Sequence, residues 1–252
     1  MSQATTAILY APGINCHEET AAAIERAGGK AELVLLRDLI DGRVHLAQYQ
    51  AAVIPGGFSY GDHLGAGRIF ATLLVARLRD QLVEFLEARK PLLGVCNGFQ
   101  VLAEAGILPG RTPGKRSMVL LENQSARFED RKVRLVVSSE KCVWTENLAG
   151  EILQMPSAHA EGRPLFCETD TSPAVSEVEP RVVFHYSDAQ GRPTAEYPDN
   201  PNGSPGAVAG VTDETGLVLG LMPHPERASL PAHYSQDGLR IFQNLIRWLN
   251  QV

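Results

Sequence analysis

Apolar and polar positions alternate along the first hundred residues in a rhythm of short strands and amphipathic helices. Ala7 to Tyr10, Ala31 to Leu36, Ala51 to Ile54 and Pro91 to Val95 are short apolar runs of the kind that form buried strands. A helical stretch from about Glu18 to Ala27 ends at Gly28-Gly29, a pair suited to stopping a helix. From Ile69 to Leu86, the residues Phe70, Leu73, Leu74, Leu78, Leu82, Phe85 and Leu86 recur at spacings of three and four, which predicts one face of a long helix. Strands alternating with helices across short connections favour an open, mostly parallel sheet with helices on both faces, so the predicted fold class is α/β.

After Gly110 the pattern changes. Val133 to Val137, Arg181 to Tyr186, Ala207 to Val211 and Leu217 to Leu221 are short β-like runs between turn-rich segments, which predicts antiparallel β additions in the C-terminal half. Asp188 to Pro205, rich in Pro, Gly, Asn and Asp, reads as a long loop. A final amphipathic helix from about Gln236 to Leu249 lines up Ile241, Phe242, Leu245, Trp248 and Leu249. With no internal repeat and no low-complexity tract, one domain over residues 1–252 is the simplest organisation.

Charge narrows the partners. Lys plus Arg number 23 against 29 Asp plus Glu, a net charge of −6 that repels a phosphate backbone, so nucleic acid is not expected. No apolar run approaches the roughly 18 residues a membrane helix needs. Met1 to Thr6 lacks the basic start of a secretory signal. A cytoplasmic location without membrane attachment is therefore the expectation. Cys16, Cys96, Cys142 and Cys167 form no C-x-x-C pair and are too sparse for a disulfide framework. Each is judged as a single thiol, with Cys142 and Cys167 read as structural.

Several cofactor patterns fail on counting. Gly110 to Ser117 has three residues rather than four between its P-loop-like glycines, and Arg116 stands where a hydroxyl should follow the lysine, so it reads as a turn. Gly65-Ala66-Gly67 lacks the third glycine of a dinucleotide fingerprint, and after His17-Glu18-Glu19 a zincin's second histidine is replaced by Ala21. No metal or nucleotide site is signalled in this chain, and any ATP would belong to another.

The strongest chemical signal lies at Gly94-Val95-Cys96-Asn97-Gly98-Phe99-Gln100, where an apolar strand runs through G-x-C-x-G into a helical stretch from Phe99 to Ala105. This is the layout of a nucleophile elbow with sulfur in place of oxygen. The sharp turn exposes the side chain, the helix N-terminus favours thiolate, and the Asn97 N–H would face an oxyanion. A buried, inert cysteine at a strand end is the bland reading of Cys96 alone.

A partner base changes that balance. In Met222-Pro223-His224-Pro225-Glu226 each proline pushes its predecessor toward extended backbone, which would set His224 and Glu226 on one side of the chain. A carboxylate there would fix the imidazole tautomer and stabilise its protonated form. The motif follows the apolar run Leu217 to Leu221, and strand ends are where sites assemble in open α/β sheets. An idle histidine in a proline turn is the alternative.

Pro55-Gly56-Gly57-Phe58 follows another strand, and its glycines let backbone approach a ligand, so the Gly57 N–H is a second candidate oxyanion donor. His159, Glu161 and Arg163 form a polar cluster whose alternatives are a substrate rim, a partner surface or ordinary surface salt bridges.

Taken together, Gly94 to Gln100, Pro55 to Asp62 and Pro223 to Arg227 resemble class I glutamine amidotransferases. The wording G-G-F-S-Y-G-D and C-N-G-F-Q is most similar to the glutaminase subunit, PurQ type, of phosphoribosylformylglycinamidine synthase. Pro12 to Cys16, Ala158 to Arg163 and Asn200 to Ser204 also fit it. Two positions depart: His17 stands where an acidic residue is expected, and Ala160 where a glycine is expected. The length also exceeds expectation, with the excess assigned to Asp188–Pro205 and the region near Thr169–Pro180.

The resemblance implies a Cys96, His224, Glu226 triad, oxyanion donors at Gly57 and Asn97, and a role for Gln100 in contacting substrate or the oxyanion loop. It implies hydrolysis of L-glutamine through a glutamyl thioester, with ammonia passed to a large synthetase subunit alongside a small third subunit. ATP and magnesium would sit on the synthetase, which converts formylglycinamide ribonucleotide to formylglycinamidine ribonucleotide in purine biosynthesis. A free-standing cysteine hydrolase and a catalytically silent docking subunit are the two rival readings.

Overall fold

The computed structural model describes residues 4–166 and 181–251. Cys167 and the whole of Thr169–Pro180 lie outside the described residues. The strands are β1 (Thr5–Tyr10), β2 (Lys30–Leu35), β3 (Ala51–Ile54), β4 (Leu92–Val95), β5 (Met118–Glu122), β6 (Glu129–Val137), β7 (Ile152–His159), β8 (Glu161–Phe166), β9 (Arg181–Tyr186), β10 (Val208–Thr212) and β11 (Val218–Leu221). The helices are α1 (His17–Arg26), α2 (Leu36–Ile40), α3 (Arg68–Arg77), α4 (Arg79–Glu87), α5 (Asn97–Glu104) and α6 (Leu239–Leu249), joined by short 3-10 turns.

Nine strands form one sheet in the order β2-β1-β3-β4-β11-β10-β9-β6-β7, and β5 pairs with β8 in a separate ribbon. From β2 to β11 every pairing is parallel, and from β11 to β7 every pairing is antiparallel. The predicted parallel core with antiparallel additions is thus present, divided evenly between the two kinds of pairing. Strands β3, β4, β10 and β11 are buried at every position, as expected where both faces of a sheet are covered. On the helical side of the core, α5 packs on β3, β4 and β11 and against α3, while α1 packs against α6. The approach of α5 is close enough that a Cβ on Gly98 would lie 1.9 Å from the Ile54 carbonyl oxygen.

Register decides where the site forms. Ile54 pairs with Gly94, and Val95 with Leu221. Three parallel strands therefore end together, and the segments beginning at Pro55, Cys96 and Met222 leave the sheet side by side at its carboxyl edge.

The single long helix predicted over Ile69–Leu86 is two helices, α3 and α4, broken at Leu78 (φ −128°, ψ 15°). The break leaves the apolar face intact, because Leu74, Leu78, Leu82 and Phe85 still line the same small apolar cavity. Strands β5, β7 and β8 went unforeseen. In β7 the inward positions are Leu153, Met155, Ser157 and His159, so the period-two pattern ends in polar residues and does not read as apolar alternation. The last helix begins at Leu239 rather than near Gln236, with Ile241, Phe242 and Leu245 buried. Asp188 to Ser204 contains no strand or helix, as expected of a loop. Buried side-chain bonds hold that segment: the Ser204 N–H donates to Asn200 Oδ1 and Asn202 Oδ1 at 3.0 Å each, and Asn202 Nδ2 donates to the Gly162 carbonyl.

Candidate active site

Cys96 turns the chain from β4 into α5 with φ 50° and ψ −104°, a left-handed conformation that non-glycine residues avoid. Two backbone bonds hold it there: its N–H donates to the Leu221 carbonyl at 2.8 Å, and its carbonyl accepts from the Gln100 N–H at 3.1 Å. The thiol is 5% exposed and donates to the Ala158 carbonyl at 3.5 Å. The predicted elbow is formed, and Cys96 sits at the start of a helix whose first-turn N–H groups surround it with partial positive charge.

His224 leaves β11 in extended backbone (φ −100°, ψ 93°), and its N–H donates to the Pro156 carbonyl of β7 at 2.8 Å. Its Nδ1 meets Glu226 Oε1 at 2.5 Å, with both side chains buried. The sequence reading expected this contact from an extended chain. It is made instead by a 3-10 turn over Pro225–Ala228 that folds the carboxylate back onto the ring. Ser229 Oγ donates to the Glu226 carbonyl at 2.6 Å and closes that turn. Burial by itself pushes the imidazole pKa down, but the Glu226 carboxylate, with Cys96 and Cys16 contributing, holds it well above the ordinary histidine value. Nδ1 therefore carries its proton toward Glu226. Nε2 is buried and makes no hydrogen bond among the described residues, which leaves it open to a reacting group on the Cys96 side.

The loop after β3 lies directly against this pair. A Cβ on Gly56 would stand 2.6 Å from His224 Cε1 and 3.3 Å from Cys16 Sγ, so only glycine fits. Gly57 (φ 143°) forms an isolated bridge with Ile14, and a side chain there would meet Asn15 N and Ile14 Cα at 2.7 Å. Neither the Gly57 N–H nor the Asn97 N–H donates to a protein acceptor among the described residues, so both proposed oxyanion donors are unengaged.

The Asn97 side chain holds the loop. Its Oδ1 accepts from the Ser59 N–H at 3.2 Å, and its Nδ2 donates to Asp62 Oδ1 at 3.1 Å and Gln100 Oε1 at 3.0 Å. Gln100 Nε2 donates to the Glu161 carbonyl at 2.6 Å. Both ends of the Gln100 amide are thus engaged by protein groups, and the residue links α5 to β8 through the oxyanion loop's own anchor.

His159 belongs to the support beneath the site. Asn123 Nδ2 donates to the Arg127 and His159 carbonyls, so Asn123 Oδ1 is left to accept from His159 Nδ1 at 3.0 Å. The other ring nitrogen then accepts from Ser157 Oγ at 2.9 Å. Burial, with the neighbouring His224 adding to it, pushes the His159 pKa down to about 3, so this ring is neutral. Glu161 is partly exposed, while Arg163 Nε donates to the Glu122 carbonyl at 3.3 Å. The two sequence departures are accommodated. The His17 ring stacks on Tyr10 at a centroid separation of 4.8 Å. Ala160 is not among the residues with left-handed backbone, so a Cβ is tolerated there.

Cys16 is the residue that sequence reasoning did not bring to the site. It lies immediately before α1, 1% exposed, with Sγ 3.9 Å from His224 Nδ1 and 3.3 Å from Asn15 Oδ1. The donor atoms of Cys16, His224 and Glu226 all lie within 4.8 Å of one another, a set of soft and hard ligands able in principle to hold a cation. A metal there would have to displace the Nδ1 proton that joins His224 to Glu226. Burial raises the Cys16 thiol pKa, and this sulfur faces the ring edge already held by Glu226. Of the two thiols, only Cys96 combines a strained elbow, a helix N-terminus and the open Nε2 edge.

Comparisons with known proteins place the chain among relatives. Residues 3–249 match the model of the CobB/CobQ-like glutamine amidotransferase domain. The chain is 43% identical over 247 residues to the phosphoribosylformylglycinamidine synthase subunit PurQ of Pyrococcus furiosus, covering 96% of this chain and 97% of that one. It is 39% identical over 263 residues to the PurQ subunit of Dehalococcoides mccartyi, covering all of both. The structure of PurLQS from Thermotoga maritima contains a chain that superposes with a TM-score of 0.78 at 30% identity, over 98% of this chain and 100% of that one. The chain therefore belongs to the glutamine amidotransferases, within the PurQ family of phosphoribosylformylglycinamidine synthase subunits.

Proposed function

We propose that this chain is the glutaminase subunit of a phosphoribosylformylglycinamidine synthase, with Cys96 as nucleophile, His224 as acid and base, and Glu226 as its orienting carboxylate. The observation that carries the reading is the common exit of three segments from β3, β4 and β11. It puts the elbow, the His224–Glu226 pair and the Gly56-Gly57 loop in one place.

The chemistry follows from these groups. The Cys96 thiolate adds to the glutamine Cδ, forming a C–S bond as the carbonyl π electrons move to oxygen. The Asn97 and Gly57 N–H groups stabilise that oxyanion, each well-placed donor contributing roughly 3 to 4 kcal/mol. His224 then gives its Nε2 proton to the departing nitrogen, the C–N bond breaks, and ammonia leaves a glutamyl thioester. Water loses a proton to Nε2 and attacks the thioester carbon; the C–S bond then breaks, releasing glutamate and restoring the Cys96 thiolate beside the protonated imidazole. Glu226 stays ionised and stabilises the imidazolium at each proton transfer.

The ammonia is used by a large synthetase subunit assisted by a small third subunit, as the name of the Thermotoga complex suggests. ATP and magnesium act on that synthetase, where formylglycinamide ribonucleotide becomes formylglycinamidine ribonucleotide, and the cytoplasm is the compartment this reading implies. The test is Cys96→Ala in the assembled complex. Glutamine-dependent synthesis is expected to vanish while synthesis from added ammonium persists. Retained glutamine turnover would remove Cys96 from the mechanism, and loss of both activities would point to a docking role.

A further inference from the structure

We infer that Cys16 is a positioning residue for His224, so that the first turn of α1 is a second support of the imidazole beside Glu226. The inference deepens the glutaminase reading and rests on it for its kinetic readout. Three observations carry it. Sγ lies 3.9 Å from Nδ1, on the ring edge that Glu226 also holds. The opposite boundary is Gly56, whose missing side chain would stand 2.6 Å from Cε1 and 3.3 Å from the same sulfur, so ring, thiol and loop are packed to contact. The sulfur is itself fixed: the Cys16 N–H donates to the Gly56 carbonyl at 3.2 Å, and its carbonyl accepts from Thr20 N at 3.0 Å and Thr20 Oγ1 at 2.7 Å.

The chemistry of a thiol suits this place. It is a weak acceptor, so it fills the space without taking the Nδ1 proton from Glu226. A buried neutral thiol adds no second negative charge beside the carboxylate. Without it, water reaching the Nδ1 edge would screen Glu226 and weaken its hold on the imidazolium. The groups facing His224 are Glu226 from its own turn, Cys16 from the start of α1, Cys96 from the elbow, and His159 from β7. Arg227 lies one step further out, acting on Cys16 and Glu226 and paired with Glu19 of α1 at 3.0 Å. That ion pair is a second tie between α1 and the turn that carries Glu226.

The experiment compares wild type, Cys16→Ala and Cys16→Ser in the assembled complex. It measures glutamine-dependent kcat and KM across pH, with ammonium-dependent synthesis as the control for assembly. In parallel, ¹⁵N-histidine NMR follows the His224 ring of the isolated chain directly. In Cys16→Ala the basic limb of kcat/KM and the imidazole titration both move to lower pH. KM holds and kcat falls roughly tenfold, short of the roughly hundredfold cost of a full 1 Å misplacement. Cys16→Ser lies between the two and carries the test alone if the alanine variant does not assemble. A reduced kcat with an unmoved basic limb and ring titration would mark a merely structural role and overturn the inference. Cys96→Ala, run alongside, separates that outcome from failure of the glutaminase reading: glutamine turnover that persists without the Cys96 thiol marks the second, and its loss leaves the Cys16 result to be read on its own.

Discussion

Gly56→Ala tests the packing around the imidazole with one added carbon. Gly56 does not have left-handed backbone, so the substitution brings no conformational strain and its effect is steric. The new Cβ would stand 2.6 Å from His224 Cε1, 3.2 Å from Nδ1 and 3.3 Å from Cys16 Sγ. Contact distances between carbons are about 3.5 to 4.0 Å, so the ring must retreat by about 1 Å or the loop must lift by as much. The ring is held at 2.5 Å by Glu226 and cannot retreat without loosening that bond. Either movement separates Nε2 from Cys96 or draws the Gly57 N–H away from the oxyanion. A misplacement of that size costs roughly a hundredfold in rate. Overpacking costs about 1 to 3 kcal/mol of stability, and at about 2 to 4 °C per kcal/mol for a chain of this size, a Tm lower by roughly 2 to 12 °C follows. The assay is glutamine-dependent turnover with ammonium-dependent synthesis as control, alongside thermal melting. Near-wild-type glutaminase activity would refute the claim that the loop and the imidazole are in contact in the working enzyme.

Further perturbations probe separate parts of the site. Glu226→Gln removes the charge that opposes burial of His224; losing a charge-assisted hydrogen bond of roughly 1.5 to 3 kcal/mol predicts about a 10- to 150-fold fall in kcat/KM, read by steady-state kinetics. The same variant tests linkage. Because the folded pKa of His224 is raised, its stabilising contribution is complete below about pH 6.5, the unfolded value, and is lost as pH rises through the folded one. The Tm gap between wild type and Glu226→Gln should therefore narrow at alkaline pH, and a gap that widens would contradict the assignment. Asn97→Ala frees the Ser59 N–H and Asp62, so kcat should fall by about 10-fold or more with the elbow itself intact, and an unchanged kcat would mean the loop needs no anchor. Arg111→Ala removes the cation paired at 2.7 Å with the buried Asp213 carboxylate, which keeps its bonds from Thr215 Oγ1 and the Leu217 and Val218 N–H groups, and should destabilise the chain by up to about 3 kcal/mol in denaturant titration.

The parallel half of the fold was legible because β1, β3 and β4 are continuous apolar runs bounded by turns, and burial on both faces permits no other pattern. The elbow and the His224–Glu226 pair were legible because each is local: a small-residue corner in one case, two prolines around a histidine in the other. What carried Glu226 to the ring was nonetheless a 3-10 turn, and the prolines predicted the meeting for the wrong geometric reason. The break at Leu78 has no glycine or proline to announce it. β7 was hidden because its inward positions end in Ser157 and His159, which serve a hydrogen-bond network and so do not signal a core strand. Cys16 could not be placed because its approach to His224 spans 208 residues and arises from tertiary packing of α1 alone. The traces in the sequence were the family resemblance of Pro12 to Cys16 and the glycine pair after β3, where the missing side chain of Gly56 leaves the room that Cys16 and the imidazole fill.

Two buried thiols flank one imidazole, and the central claim is that Cys96, not Cys16, forms the bond to glutamine. Treating the assembled complex with a glutamine-mimicking chloroketone and mapping the modified peptide by mass spectrometry distinguishes them directly. The expected result is one adduct on Cys96, none on Cys16, and no labelling of Cys96→Ala. An adduct on Cys16, or continued glutamine hydrolysis with Cys96 replaced, would contradict it.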